Sequence, residues 1–195
     1  GKTLLMSMFE SFLKISAKEP GNITKHLNYF KGTKILEDKE FCKKYMGQFS
    51  VISITLKDVL GDDFESAYLK LAEVVSAKAN EFSFLKESPY LNEMEKAKFN
   101  LLCDEIYLKK ADKQAISYVT SAIKSLSLML YKHFNKQVYI LIDEYDVPLA
   151  KAQEHGYHKD MVTLMSSFLG FLKDPQKDPE KDTSIISKVI LTGCL

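Results

Sequence analysis

Arginine is missing altogether: all 27 basic side chains among the 195 residues are lysines. Tryptophan is missing too, and glycine (8) and proline (5) are scarce, which rules out a collagen-like or low-complexity chain. Three cysteines, Cys42, Cys103 and Cys194, stand far apart with no C-x-x-C pair. That spacing excludes a disulfide framework and a cysteine zinc site, and it reads as reduced thiols in an intracellular, cytoplasmic protein. No apolar run approaches the ~18 residues of a membrane-spanning helix, so no membrane partner is expected. The lysines are balanced by 26 acids, for a formal charge of +1. With no aromatic and basic stripe either, nothing in the segment indicates nucleic acid.

What is present is apolar and patterned. A chain of this length, 46% hydrophobic, buries ~70% of its unfolded surface around one core, so residues 1–195 read as one domain. Leu4, Leu5, Met8, Phe9, Phe12 and Leu13 fall on one face of an N-terminal helix, which Pro20-Gly21 closes. A loop with one short helical stretch then leads to Met46. Residues 49–56 (FSVISITL) predict a strand, and 63–82 a helix with the stripe Phe64, Ala67, Tyr68, Leu71, Val74 and Val75. Asn92 with Glu95 opens a helix to Leu108, and Asp112 opens the next, to Phe134. Residues 138–142 (VYILI) lack polar alternation, as a strand buried on both faces does. A helix over 157–172, a polar loop over 173–181 and a last strand over 188–192 follow. Strands alternating with helices predict an α/β layered fold.

Three short motifs carry the chemistry. Gly1-Lys2-Thr3 stands directly before the first helix, like the tail of the phosphate loop G-x-x-x-x-G-K-[ST]. There, backbone N–H groups at the helix start cradle phosphate, Lys2 reaches the β and γ oxygens, and the Thr3 hydroxyl ligates Mg²⁺. Alone, an ordinary helix start capped by Thr3 explains it as well. Asp143-Glu144 closes the buried strand, where one carboxylate serves Mg²⁺ and the next polarises a water; two solvated acids are the plainer reading. Thr192, at the end of the last strand, suits a γ-phosphate sensor or an ordinary turn. Asp146 reads as a second acid behind that pair or as the cap of a helix opening at Val147-Pro148-Leu149. His155 and His158 have metal-ligand spacing, but Gly156 between them favours a solvated loop. Lys43-Lys44 and Lys109-Lys110 read as solvated surface.

Gly1 to Met8, Phe30-Lys31-Gly32, Leu141 to Leu149 (LIDEYDVPL), Gly156-Tyr157 and Ile190-Leu191-Thr192-Gly193 together resemble the AAA-ATPase-like domain family. These are prokaryotic proteins, found also in some microbial eukaryotes and often fused to a C-terminal PD-(D/E)XK nuclease-like domain. The resemblance implies a P-loop NTPase sandwich of three layers, with helices on both faces of a parallel sheet. It implies ATP as partner, with Gly1, Lys2 and Thr3 at the phosphates, and Thr3 and Asp143 at Mg²⁺. Glu144 would be the base and Thr192 the sensor. The family's first strand precedes Gly1 and its last core strand follows Leu195, so an incomplete P-loop domain with impaired turnover is the expectation.

The expected activity is thus Mg²⁺-dependent ATP hydrolysis by an AAA-ATPase-like domain, energising or regulating an attached nuclease-like domain. A nucleotide-gated scaffold with negligible turnover and a small-molecule phosphotransferase stay open as alternatives. Fast turnover commonly uses an arginine finger, worth ~10³–10⁵ in rate, and a lysine lacks its planar fork. In a longer protein containing this chain, any such finger must lie outside residues 1–195 or come from a neighbouring subunit through self-association. Replacing those outside arginines by lysine should slow phosphate release by ~10²-fold or more. A monomer that stays fast with all of them replaced refutes the idea.

Overall fold

The sheet is built from the three segments whose apolar residues run without helical spacing. In the computed structural model, which describes residues 1–174, 176–178 and 180–193, β1 (Ser50–Thr55), β2 (Val138–Asp143) and β3 (Ile186–Leu191) lie parallel in the order β1-β2-β3. The register pairs Thr55 with Asp143 and Ile142 with Leu191, so the three strands end along one edge. Alternation sends Ile52, Ile54, Ile140 and Ile142 into one apolar cluster and Val51 and Leu141 into the other. The central β2 is buried on both faces, which is why its sequence carries no polar alternation.

Helices cover both faces. On the Val51 and Leu141 side lie α1 (Lys2–Leu13), α2 (Thr24–Tyr29) and α3 (Lys39–Tyr45), where Met6, Phe12, Phe30 and Cys42 fill the core. On the other side α4 (Phe64–Glu81) meets the strands. The same cluster takes in α5 (Glu93–Cys103), α6 (Glu105–Leu108), α7 (Lys113–Thr120), α8 (Ala122–Phe134), α9 (Val147–Glu154) and α10 (His158–Phe168). Short 3-10 turns at Lys34–Glu37, Ser83–Glu87 and Gly170–Leu172 complete the chain. Among the described residues no helix is long and apolar enough to cross a membrane, and Cys42 and Cys103 are free thiols. Cys194 lies outside the described residues.

Caps explain where the helices start. Asp63 accepts from the Ser66 N–H at 2.8 Å to open α4. Asn92 and Glu95 exchange side-chain to backbone bonds of 2.9 and 3.0 Å in a full capping box at α5. Asp104 caps α6 and Asp112 caps α7 in the same way. The expected helix to Leu108 is therefore two helices, because Asp104 draws a new set of N–H groups onto its own side chain. The stretch from Asp112 to Phe134 is also two. The Thr120 and Ser121 hydroxyls bond back to the carbonyls of Ile116 and Ser117, at 2.9 and 2.7 Å, and break the ladder there. Between Gly21 and Met46 the chain forms two helices and a 3-10 turn where one helical stretch was expected.

The N-terminal helix forms as expected but turns a different face inward. Met6, Phe12 and Leu13 are buried, whereas Leu4 and Leu5 are more than half exposed and Met8 and Phe9 over a third. The stripe is split: its C-terminal end packs on the sheet, and its N-terminal end lines an apolar groove of about 510 Å³ with Tyr139 and Ile190. Helical spacing alone cannot say which half of an apolar face finds a partner.

One brace ties the loop after β1 to the α9–α10 turn. Gly156 takes a φ of +82°, a left-handed turn that glycine adopts freely. The buried Tyr157 that follows donates its hydroxyl to the Gly61 carbonyl at 2.8 Å. Gly61 itself lies so close to Ser66 and Ala67 that a Cβ would approach within 2.6 Å. Tyr157→Phe removes the hydroxyl and nothing else. It should cost ~0.5–1.5 kcal/mol in a urea titration; an unchanged midpoint would show that the brace is idle.

Candidate functional site

The chain's most demanding electrostatic problem sits where the strands stop. Asp143, the last residue of β2, is only 6% exposed. A charged carboxylate there needs donors, and they arrive from three directions. The Thr3 hydroxyl, in the first turn of α1, donates to Oδ2 at 2.8 Å. The Thr192 hydroxyl, one residue beyond β3, donates to Oδ1. The N–H of Glu144 contributes from the chain itself. Burial alone would raise the Asp143 carboxyl; the bonds from Thr192, Thr3 and the Glu144 N–H, helped by the charge of Lys2, hold it below its usual range.

Backbone bonds fix this arrangement before any side chain acts. Thr192 donates its N–H to the Ile142 carbonyl at 2.9 Å and accepts at its own carbonyl from the Tyr145 N–H at 3.1 Å. The exit from β3 and the turn after β2 are therefore stitched together. The Lys2 ammonium donates to the Gly193 carbonyl, which brings the start of α1 to the same place. Gly1, the residue before the helix, accepts the Leu5 N–H at 3.2 Å. The helix has no side-chain cap and no acid in its first turn, so its leading N–H groups remain for an anion.

Glu144 follows in a left-handed conformation, φ +54°. For a residue with a Cβ this costs ~1–2 kcal/mol, a strain that folds tolerate mostly at working sites. Among the described residues its half-buried carboxylate pairs with no donor. Asp146 starts α9 but does not cap it with its side chain. Pro148 has no N–H to offer, and the Leu149 N–H goes to the Asp146 carbonyl at 3.1 Å. The cap expectation for Asp146 therefore fails, and its Oδ1 is buried without a donor.

Lys2, Thr3, Asp143 and Thr192 thus come together, with Gly1 and Glu144 adjoining them in sequence. His155 and His158 do not join them. Both are exposed, and no cluster of His, Cys, Asp and Glu fit to hold a metal exists among the described residues. The paired hydroxyl and carboxylate of Thr3 and Asp143 are nonetheless hard oxygen donors. They fit Mg²⁺, which keeps most of its shell for water and phosphate and needs only one or two protein oxygens. A roomier cleft, about 710 Å³, opens beside His26 at the other end of α1. There Lys14 pairs with Phe49 ahead of β1, at the edge of the sheet opposite Asp143. That cleft contains none of Lys2, Thr3, Asp143, Glu144 and Thr192.

A parallel α/β sheet whose buried strand ends in Asp-Glu, facing a helix that opens Gly-Lys-Thr, has the makings of a nucleotide-binding domain. The chain belongs to the AAA-ATPase-like family, described as Predicted AAA-ATPase, which it matches over residues 1–195. Membership gives it an ATPase-like, nucleotide-binding character. No curated protein and no solved structure matches the chain. One residue of the site went unassigned in the sequence reading: Gly193, whose carbonyl receives Lys2. Its place in Ile190-Leu191-Thr192-Gly193 marked it, but no pattern shows what a missing side chain makes room for.

Thr192→Val is nearly isosteric and removes one donor from a charged acceptor. The variant should lose ~1–3 kcal/mol of stability near neutral pH. Because the folded carboxyl titrates below its ordinary value, this stabilisation is present at neutral pH and is lost as pH falls through the folded pKa. Urea titrations of both chains between pH 7 and pH 3 check it. A gap that persists undiminished in acid would mean that Thr192 acts on packing and not on the charge.

Proposed function

We propose that the chain binds ATP with Mg²⁺ at the edge formed by α1, β2 and β3 and that its residues hydrolyse the γ-phosphate. The observation that carries this reading is the convergence of Thr3 and Thr192 on the two oxygens of Asp143. Burial explains why Asp143 needs donors; what supports a phosphate site is that one donor belongs to a Gly-Lys-Thr helix start and the other to the residue after the neighbouring strand. The finer fold assignment, a P-loop sandwich of three layers, goes with it, supported by the parallel order β1-β2-β3 with helices on both faces. The free thiols of Cys42 and Cys103 support an intracellular setting.

In this reading Gly1 and the leading N–H groups of α1 receive phosphate oxygens. Lys2 leaves the Gly193 carbonyl to neutralise the γ-phosphate, and Thr3 and Asp143 hold Mg²⁺. When bound, the ion neutralises charge on the phosphate oxygens. Glu144 orients the attacking water and takes its proton, and Thr192 registers whether the γ-phosphate is present. The left-handed backbone at Glu144 supports that role, because it lets the strand turn immediately into α9 and leaves a carboxylate that pairs with no donor among the described residues. That free acid favours hydrolysis over a nucleotide-gated switch or transfer to a small molecule. A nuclease-like domain on the same protein would be the element driven or gated.

Glu144→Gln keeps the shape and removes the base. In a protein that carries this chain, it should retain ATP affinity and lose ~10²-fold or more of turnover, the usual worth of a positioned base. Phosphate release and binding of a fluorescent ATP analogue, measured side by side, decide the matter. Unchanged turnover would remove Glu144 from the mechanism and favour the switch.

A further inference from the structure

Gly193 is a glycine for a reason other than backbone freedom. Its φ is not among the left-handed ones, so an L-residue meets no conformational penalty there. Space is the constraint. A Cβ at Gly193 would lie 2.6 Å from Asp146 Oδ1, 2.8 Å from Asp146 Cγ and 3.0 Å from Tyr145 Cε1. Contacts under 3 Å between such atoms are not tolerated, so something must move. Turning the carboxyl about its last bond would not help, because Cγ itself is too close. The whole carboxyl group would have to leave, and the Tyr145 ring closes the adjacent side.

Asp146 is also held in an unusual way. Its Oδ1 is buried with no donor, although burying a carboxylate oxygen unpaired is unfavourable. No hydrogen bond of its own keeps that oxygen against Gly193. Its backbone does, through the Ala150 N–H to Asp146 carbonyl bond of 3.0 Å and the Tyr145 to Thr192 stitch one residue earlier. The alternative to expelling the carboxyl is to push the end of β3 away from the turn. That displacement acts on Thr192, whose hydroxyl must reach Asp143, and on the Gly193 carbonyl that receives Lys2.

We propose that Gly193 is a positioning residue of the hydrolytic site. The Asp146 carboxyl fills the space its side chain would take, and this fit sets Thr192 on Asp143 and the Gly193 carbonyl on Lys2. The inference rests on the hydrolysis reading above and adds to it a residue that touches neither phosphate nor water. It also gives Asp146 a use that capping does not.

Gly193→Ala tests it directly, in a protein that carries this chain. Turnover of Mg·ATP should fall roughly 10- to 100-fold, as a misplacement of about an ångström does, while KM stays within about threefold. Gly193→Ala combined with Asp146→Ala removes both of the closest clashing atoms and should recover most of the loss. A role in folding alone would lower the active fraction, which also lowers apparent kcat at constant KM. For that reason kcat is referred to the titrated concentration of ATP-binding sites; a folding role then moves the melting temperature and leaves kcat per site unchanged. If the single variant does not fold, the double variant, freed of the clash, should fold and turn over ATP. A Gly193→Ala protein as fast as the parent, or a double variant no faster than the single one, overturns the proposal. Thr192→Ala run alongside separates two failures. If it slows turnover and Gly193→Ala does not, the positioning inference alone falls. If it is silent, the hydrolysis reading falls and takes this inference with it.

Discussion

A buried carboxylate at the end of a strand that is itself buried on both faces organises this molecule. Asp143 cannot keep its charge unless its neighbours replace the water it lost. The replacement comes from the first turn of α1, from the residue after β3 and from the turn that follows β2. Each of those donors is useful only if its element is docked in register. The parallel order β1-β2-β3 and the seating of α1 on the sheet are in this sense conditions for one ionised group. The same constraint puts Lys2 beside the strand ends, because it is the residue before Thr3 in the same helical turn.

Much of the fold was legible because it depends on local chemistry. The strands announced themselves by β-branched runs, and VYILI by its lack of polar alternation. Asp63, Asn92 and Asp112 were readable as helix starts because a short polar side chain followed by an amphipathic stripe has few other uses there. What escaped was decided by competition between local options. Asp104 sits inside an apolar pattern that continues past it, yet its carboxylate prefers the N–H groups of the next turn. The hydroxyls at Thr120 and Ser121 compete with the helix ladder in the same way. The misjudged face of α1 has a different cause: periodicity gives an apolar direction, but packing decides how much of it is covered.

At the candidate site, the residues with charged or hydroxyl side chains were visible in the sequence and Gly193 was not. Lys2, Thr3, Asp143, Glu144 and Thr192 each carry a functional group whose spacing from a helix start or strand end has chemical meaning. Gly193 carries none, and its importance lies in an approach between chain segments that no linear pattern encodes. Asp146 was open to two readings. Capping fails because Pro148 withholds an N–H and a backbone carbonyl takes the next one. Both facts are in the sequence only for a reader who already knows the turn.

The parallel register has a consequence for how the protein is made. Ser50 pairs with Val138, and Val138 with Ile186, so neither strand interface is local in sequence. Of these three strands β1 is synthesised first, and on the order of ten seconds of synthesis separate it from its partner. Helices α4 to α8 are synthesised in that interval, and in the folded protein they share one apolar cluster with Ile52 and Ile54. Helices packed on that face hide apolar surface, whereas the edge N–H and C=O groups of β1 are satisfied only when β2 pairs with it. The capped helix starts at Asp63, Asn92, Asp104 and Asp112 all lie within that interval.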